Sequence, residues 1–228
     1  MRYCIGDIHG CIKTLKYLIN KIYEKDSHPE FYFVGDLIDR GPNSKAVLDF
    51  IIDLYSKGII AKSVRGNHEE MFLNAYKNNC KISDTNWQYN GAEQTIKSFV
   101  SEPNLALKVK DLVPQRYFDF INTLPYFINL NDYYIVHAGI NFNSKNPFQD
   151  FEHMLWTREE QYDEKSYSNM KIIHGHSPIP KEQIKQTIKT KNMNIDSGCV
   201  YTHIPNLGYL TAINLNTFEL IIVKNIDS

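Results

Sequence analysis

Apolar residues recur along this chain at two spacings, and the order in which those spacings alternate outlines a fold. Short continuous apolar runs occupy residues 3–5, 31–34 and 61–64. The first is followed by a helical spacing, Ile12, Leu15, Leu18, Ile19 and Ile22, and the second by another, Val47, Leu48, Ile51, Ile52 and Leu54. Strand, loop and helix, repeated, predict parallel strands whose carboxyl-end loops gather on one edge of a sheet, where open α/β folds bind ligands. From residue 68 to about 123 the pattern turns helical and polar, with breaks at Pro103 and Pro114, so an insertion capping that edge is expected. Strand-like runs return at 127–130, 133–136, 171–173, 193–195, 209–214 and 218–223, the last two joined by a hairpin-like link at 215–217. Two sheets with helices outside both, a four-layer αββα sandwich in the α/β class, accommodate the whole pattern.

Composition narrows the setting. With 228 residues and 43% hydrophobic content, the chain is expected to form one domain over 1–228. A net charge of −1 with scattered Lys gives no basic stripe, which disfavours a nucleic-acid partner. The longest apolar stretch falls short of the roughly 18 residues of a membrane span, and the first strand begins at the amino terminus, which leaves no signal peptide; a cytoplasmic location without membrane contact is expected. Cys4, Cys11, Cys80 and Cys199 have no paired spacing, and a reduced state fits that location. The high aromatic content, 13%, falls largely in strand-like runs and points to core packing.

Five short blocks carry the chemistry: GDIHG at 6–10, GDLIDRG at 35–41, GNHE at 66–69, HAG at 137–139 and GHSP at 175–178. They supply six oxygen and nitrogen donors, Asp7, His9, Asp36, Asn67, His137 and His176. Such a set suits Mn²⁺, Fe²⁺ or Zn²⁺ rather than a thiolate-loving ion. Asp36, at the end of the middle strand, has two carboxylate oxygens with which to bridge ions roughly 3.5 to 4 Å apart. His28, His153 and His203 lie outside the blocks and read as structural or exposed. His174 is left open, because alternation along a strand could put it on the same face as His176. Arg is used at only five of 25 basic positions, so where it persists its planar, two-pronged grip on phosphate oxygens becomes the reason to expect it. Arg65 stays unassigned.

These blocks resemble the calcineurin-like metallophosphoesterases of the phosphoprotein phosphatase superfamily, and most of all the serine/threonine protein phosphatases of the bacterial and bacteriophage lambda type. The resemblance extends through WQYNGAEQT at 87–95, MLWTR at 154–158 and NIDSGCV at 194–200. Ala138 and Ser177 depart from the commoner HGG and GHTP, away from the metal donors. The resemblance implies the αββα sandwich. It also implies two divalent ions, Mn²⁺ foremost with Fe or Zn as alternatives: Asp7 and His9 on the first, Asn67, His137 and His176 on the second, and Asp36 on both. It further implies His68 as the acid for the leaving oxygen, Asp39 as the carboxylate orienting it, and Arg40 and Arg158 on the phosphate. A metal-bridging hydroxide would attack phosphorus in line, without a covalent intermediate.

The expected activity is that of a phosphoprotein phosphatase acting on phosphoserine or phosphothreonine, with dual specificity open. Its partner would then be a phosphorylated protein or peptide. The alternative is a dinucleoside polyphosphate or another small phosphoester. Asp39 favours the first, because an alkoxide leaves poorly and needs a well-held acid.

Overall fold

The computed structural model describes residues 1–158 and 170–227. The strands are β1 (Arg2–Ile5), β2 (Glu30–Phe33), β3 (Ala61–Ser63), β4 (Phe127–Asn129), β5 (Tyr133–Val136), β6 (Lys171–His174), β7 (Asn192–Asn194), β8 (Tyr209–Asn214) and β9 (Leu220–Lys224). The helices are α1 (Ile12–Tyr23), α2 (Ser44–Ser56), α3 (Asn67–Lys77), α4 (Ala92–Phe99), α5 (Val109–Leu112), α6 (Gln115–Asn122), α7 (Phe151–Trp156) and α8 (Lys181–Thr187). One sheet runs β3-β2-β1-β8-β9 and the other β4-β5-β6-β7. In the first, β1, β2 and β3 are parallel and β8 and β9 antiparallel; in the second, β5, β6 and β7 are parallel and β4 antiparallel. Two mixed sheets with helices give the α/β architecture expected of a sandwich.

Alternation along the strands assigns the layers, since successive side chains of a strand point to opposite faces. Cys4, Tyr32 and Val34 of the first sheet pack with Tyr133, Ile135, Ile173 and Met193 of the second, forming the core between the sheets. Tyr3, Ile5, Phe31 and Phe33 point the other way, onto Leu15, Leu18 and Ile22 of α1 and Val47, Leu48 and Ile51 of α2. Val136 and Ile172 face outward from the second sheet onto Met154 of α7 and Ile140. The helical spacings thus become the two helices that cover the first sheet. Strand ends shift by one or two residues from the sequence expectation; the last strand begins at Leu220 rather than 218, because Phe218 turns through a left-handed φ of 62° in the hairpin link.

Between β3 and β4 the chain is helical, from α3 to α6, matching the stretch in which apolar residues lose strand spacing. This stretch is not a loose appendage. Ile82, Trp87, Ala92, Ile96, Val109, Tyr117 and Ile121 join the same core as α1 and α2.

Candidate metal centre

Six strand ends converge. β1 delivers Asp7, β2 Asp36, β3 Asn67, β5 His137, β6 His176 and β7 Asp196, all buried. Parallel neighbours end on the same edge, so residues separated by most of the chain become adjacent. Holding side chains inward there demands unusual backbone. Of nine non-glycine residues with positive φ among the described residues, five belong to the predicted blocks: His9, Asp36, Asp39, Arg40 and His176. Such conformations cost of order 1–3 kcal/mol each and persist where the surroundings enforce them. Glycine meets a steric demand at Gly66, where an added Cβ would lie 2.2 Å from Asp36 Oδ1 and 2.5 Å from its backbone nitrogen.

The donor atoms form two groups sharing Asp36: His9, Asp36 and His68 in one, Asp36, His137 and His176 in the other. Asp36 offers a different oxygen to each. Oδ2 lies 3.5 Å from His9 Nε2 and 3.9 Å from His68 Nε2, whereas Oδ1 lies 3.4 Å from His137 Nε2. Asn67 Oδ1 completes the second group, 2.9 Å from His137 Nε2 and 3.2 Å from His176 Nδ1. Asp7 lies in neither group; its Oδ2 accepts the backbone N–H of His176, a member of the second, at 3.0 Å.

Tautomers follow from the hydrogen bonds. His9 Nδ1 donates to the Ile38 carbonyl at 2.9 Å and His137 Nδ1 to the Val34 carbonyl at 2.8 Å, so each keeps an Nε2 lone pair turned inward. Burial pushes His9, His137 and His176 below the usual histidine range, His176 to about 3 with the help of His137. Neutral imidazoles are what a metal requires. Burial works against charge on Asp36, yet the surrounding imidazoles, His137 first and all charged at the low pH where this carboxyl titrates, hold it below the ordinary range. Burial followed by Asp196 drives Asp7 upward, and burial lifts Asp196 to about 7. Asp7 Oδ1, His68 Nε2 and His176 Nε2 are buried with no hydrogen-bond partner. An orphaned carboxylate oxygen, orphaned imidazole nitrogens and under-compensated carboxylates in one place fit a pair of divalent cations.

His68 differs from the other imidazoles. Burial opposes its charge, but Asp36 and Asp39 outweigh this and raise its pKa. Its Nδ1 donates to Asp39 Oδ2 at 2.7 Å, leaving Nε2 facing Asp36. Arg40 Nη1 donates to His9 Nε2 at 2.9 Å, and its guanidinium lies 5.6 Å from the ring centre of Tyr201. Arg158 is exposed and donates to Ser177 Oγ at 3.2 Å, next to His176.

The structure brings all ten predicted residues to one strand edge or to side chains touching it. It also adds some that sequence reasoning missed. Trp87 Nε1 donates to Asp39 Oδ2 at 2.7 Å and Thr95 Oγ1 to Oδ1 at 2.5 Å, which gives the WQYNGAEQT block a role. Glu69 accepts backbone N–H bonds from Asp36 and Gly66 on Oε2 and from Leu37 and Ile38 on Oε1, binding two of the donor loops together. Asp196 lies within NIDSGCV, where the pattern drew notice without suggesting an acid facing Asp7. His174 is buried, its Nδ1 donates to the Gly175 carbonyl, and it joins neither donor group. Arg65 is structural: it pairs with Glu70 at 2.8 Å and bonds Tyr126 and the Asn122 carbonyl.

Comparison with known proteins gives the family and the fold. The family model for calcineurin-like phosphoesterases matches residues 3–209. The asymmetrical bis(5'-nucleosyl)-tetraphosphatase PrpE of Anoxybacillus flavithermus is 29% identical, over 97% of this chain and 93% of its own length. A solved structure provisionally assigned as a diadenosine tetraphosphatase superposes with a TM-score of 0.69 at 22% identity, covering 100% of this chain and 94% of its own. A cold-active protein-tyrosine phosphatase from a Shewanella species gives 0.62 at 17%, over 100% of this chain and 78% of its own. The fold is common to anhydride and ester hydrolases, so it does not choose between them.

Proposed function

We propose, from the premise that this chain belongs to the calcineurin-like phosphoesterases, that it hydrolyses dinucleoside polyphosphates at a dinuclear divalent metal centre. Asp36 carries the proposal, because its two oxygens face two separate donor groups. The likeness to a bis(5'-nucleosyl)-tetraphosphatase over nearly the full length of both chains supports the substrate class over the phosphopeptide expected from the sequence.

Asp7 and His9 would hold one ion, Asn67, His137 and His176 the other, and Asp36 both, with Mn²⁺ the best match to the donors. Bound ions supply a nucleophile at neutral pH and neutralise phosphoryl charge. The remaining work falls to the protein. Arg40 and Arg158 would hold phosphate oxygens. His68 keeps one proton on Nδ1, against Asp39, and gives the other from Nε2 to the departing oxygen. The helical stretch 68–123 caps the edge and holds Asp39 through Trp87 and Thr95.

The Asp39 and His68 pair favours a second reading, a serine/threonine phosphatase, since an alkyl ester needs its leaving oxygen protonated more than a phosphoanhydride does. One comparison decides: kcat/KM with Mn²⁺ on diadenosine tetraphosphate against phosphoserine and phosphothreonine peptides. A preference for the dinucleotide supports the proposal; a preference for any phosphopeptide overturns it.

A further inference from the structure

Trp156 ends α7 with 38% of its surface in solvent. Its ring meets that of His176 edge to face, with centroids 6.4 Å apart and planes at 87°. Among the described residues it is the one exposed large apolar side chain with a ring contact to a proposed metal donor. The helix end that carries it is held from behind. Met154 and Leu155 are buried, Asp150 accepts the N–H of His153 at the helix start, and the Ala138 N–H donates to the Met154 carbonyl at 2.8 Å. That last bond ties α7 to the loop carrying His137. Two residues beyond, Arg158 bonds Ser177. Indole and guanidinium therefore rest on consecutive residues of one loop, His176 and Ser177.

The metal donors can recognise only a phosphoryl group, so selection for a nucleotide has to come from outside them. A ribose separates phosphate from base, which puts a base-binding surface near, but beyond, the donors. We propose that the indole of Trp156 is a stacking platform for one nucleobase of the substrate, with Arg158 on an adjoining phosphate. This inference rests on the dinucleoside polyphosphate reading of the site. Every base presents a flat π face, whereas a phosphopeptide presents one only where an aromatic residue happens to fall, so a fixed exposed indole suits the nucleotide. Base-on-aromatic stacking is sequence-tolerant and pre-organisation lowers its entropic cost.

The test compares wild type, Trp156→Ala and Trp156→Phe, each loaded with Mn²⁺, on diadenosine tetraphosphate and on inorganic tripolyphosphate, which has anhydride bonds and no base. The Ala variant should lose about 5- to 150-fold in kcat/KM on the dinucleotide, the range set by alanine substitution of stacking aromatics. It should keep its rate on tripolyphosphate, and Phe should restore most of the loss. A second readout needs no turnover. The chain has two tryptophans, and the other, Trp87, is buried. Adenosine nucleotides should quench wild-type fluorescence and leave Trp156→Phe unquenched. Equal losses on both substrates, no loss on the dinucleotide, a loss confined to phosphopeptides, or quenching that survives in Trp156→Phe would each overturn the platform. Failure of the wild type to split the dinucleotide at all would instead remove the reading beneath it.

Discussion

Two acidic corners flank the centre, equally buried and oppositely furnished. At one, Asp39 has both oxygens engaged, Oδ2 by His68 and Trp87 and Oδ1 by Thr95. At the other, Asp7 Oδ1 has no partner, and Asp196 faces it with one backbone N–H, from Gly198, on its own Oδ1. A buried carboxylate is costly unless its oxygens are bonded or its charge is paired. The first corner meets that requirement from within the protein and is suited to steering a proton. The second leaves it unmet, as a site for external positive charge would.

The largest break in this contrast comes from Asp36, which serves both sides. Asp36→Asn replaces a ligating oxygen with an amide nitrogen that carries no available lone pair. Both metal equivalents should be lost, together with activity by at least about 10⁴-fold, the scale of disabling a catalytic unit. Chelation of the wild type should do the same, and Mn²⁺ should restore it. Metal analysis alongside the rate provides the check, and full activity in verified metal-free protein would refute a dinuclear centre.

His68→Asn should act on one side only. It removes the acid, so kcat should fall by about 10²- to 10⁴-fold while metal content holds. Because His68 Nε2 lies within the first donor group, metal stoichiometry is the discriminating measurement. A stripped ion would make His68 a ligand rather than an acid.

The second corner should be visible in stability. The Asp196 carboxyl stands at about 7 when folded, against 3.8 ordinarily. The folded state therefore keeps a proton that the unfolded chain has released. That stability is fully present below about 3.8 and lost as pH rises towards 7. His174, pushed by burial to about 4, acts with the opposite sign, losing stability as pH falls below 6.5. The difference between wild type and Asp196→Asn isolates the carboxylate: in chelator, denaturant midpoints should converge in acid and separate in favour of Asn near neutrality. Mn²⁺ should reverse that order. Parallel pH profiles would remove Asp196 from the contrast.

The two corners were not equally legible in the sequence. Asp39 stands in a dense block whose neighbours, Asp36 and Arg40, mark it out, and the strand spacing before each block was enough to bring the blocks to one edge. Asp196 sits among small and apolar residues in NIDSGCV, where only the pairing of β7 beside β6 turns it towards Asp7. Trp87 and Thr95 were illegible for another reason. Their contact with Asp39 spans about 50 positions and depends on how the helical stretch folds back, which local spacing does not encode. Backbone strain at His9, Asp36, Asp39, Arg40 and His176 was likewise hidden, because even Asp and His, which tolerate a left-handed φ better than most residues, adopt it too rarely for the residue type alone to announce it. Apolar spacing reported the sheets and α1 and α2 because burial imposes it directly.

The finest test lies in what Trp87 does for the satisfied corner. Its indole N–H and the His68 imidazole share a single oxygen, Asp39 Oδ2, each at 2.7 Å. Trp87→Phe removes one charge-assisted bond and keeps an aromatic ring against Phe72, whose centroid lies 5.5 Å away. Such a bond is worth about 1.5–3 kcal/mol, and only part of that should reach the transition state. An orienting partner of this kind typically carries a 10- to 100-fold effect, so a drop in kcat towards the lower end, about tenfold, is expected. KM and metal content should stay unchanged, since Trp87 is buried and belongs to neither donor group. The drop should also be larger for phosphoserine peptides than for diadenosine tetraphosphate, because the alkoxide depends more on a well-held acid. Rates taken well below the melting transition separate this from lost packing. Equal slowing on both substrates would leave Trp87 a core residue only, and with it the self-sufficiency of the Asp39 corner would have no bearing on proton transfer.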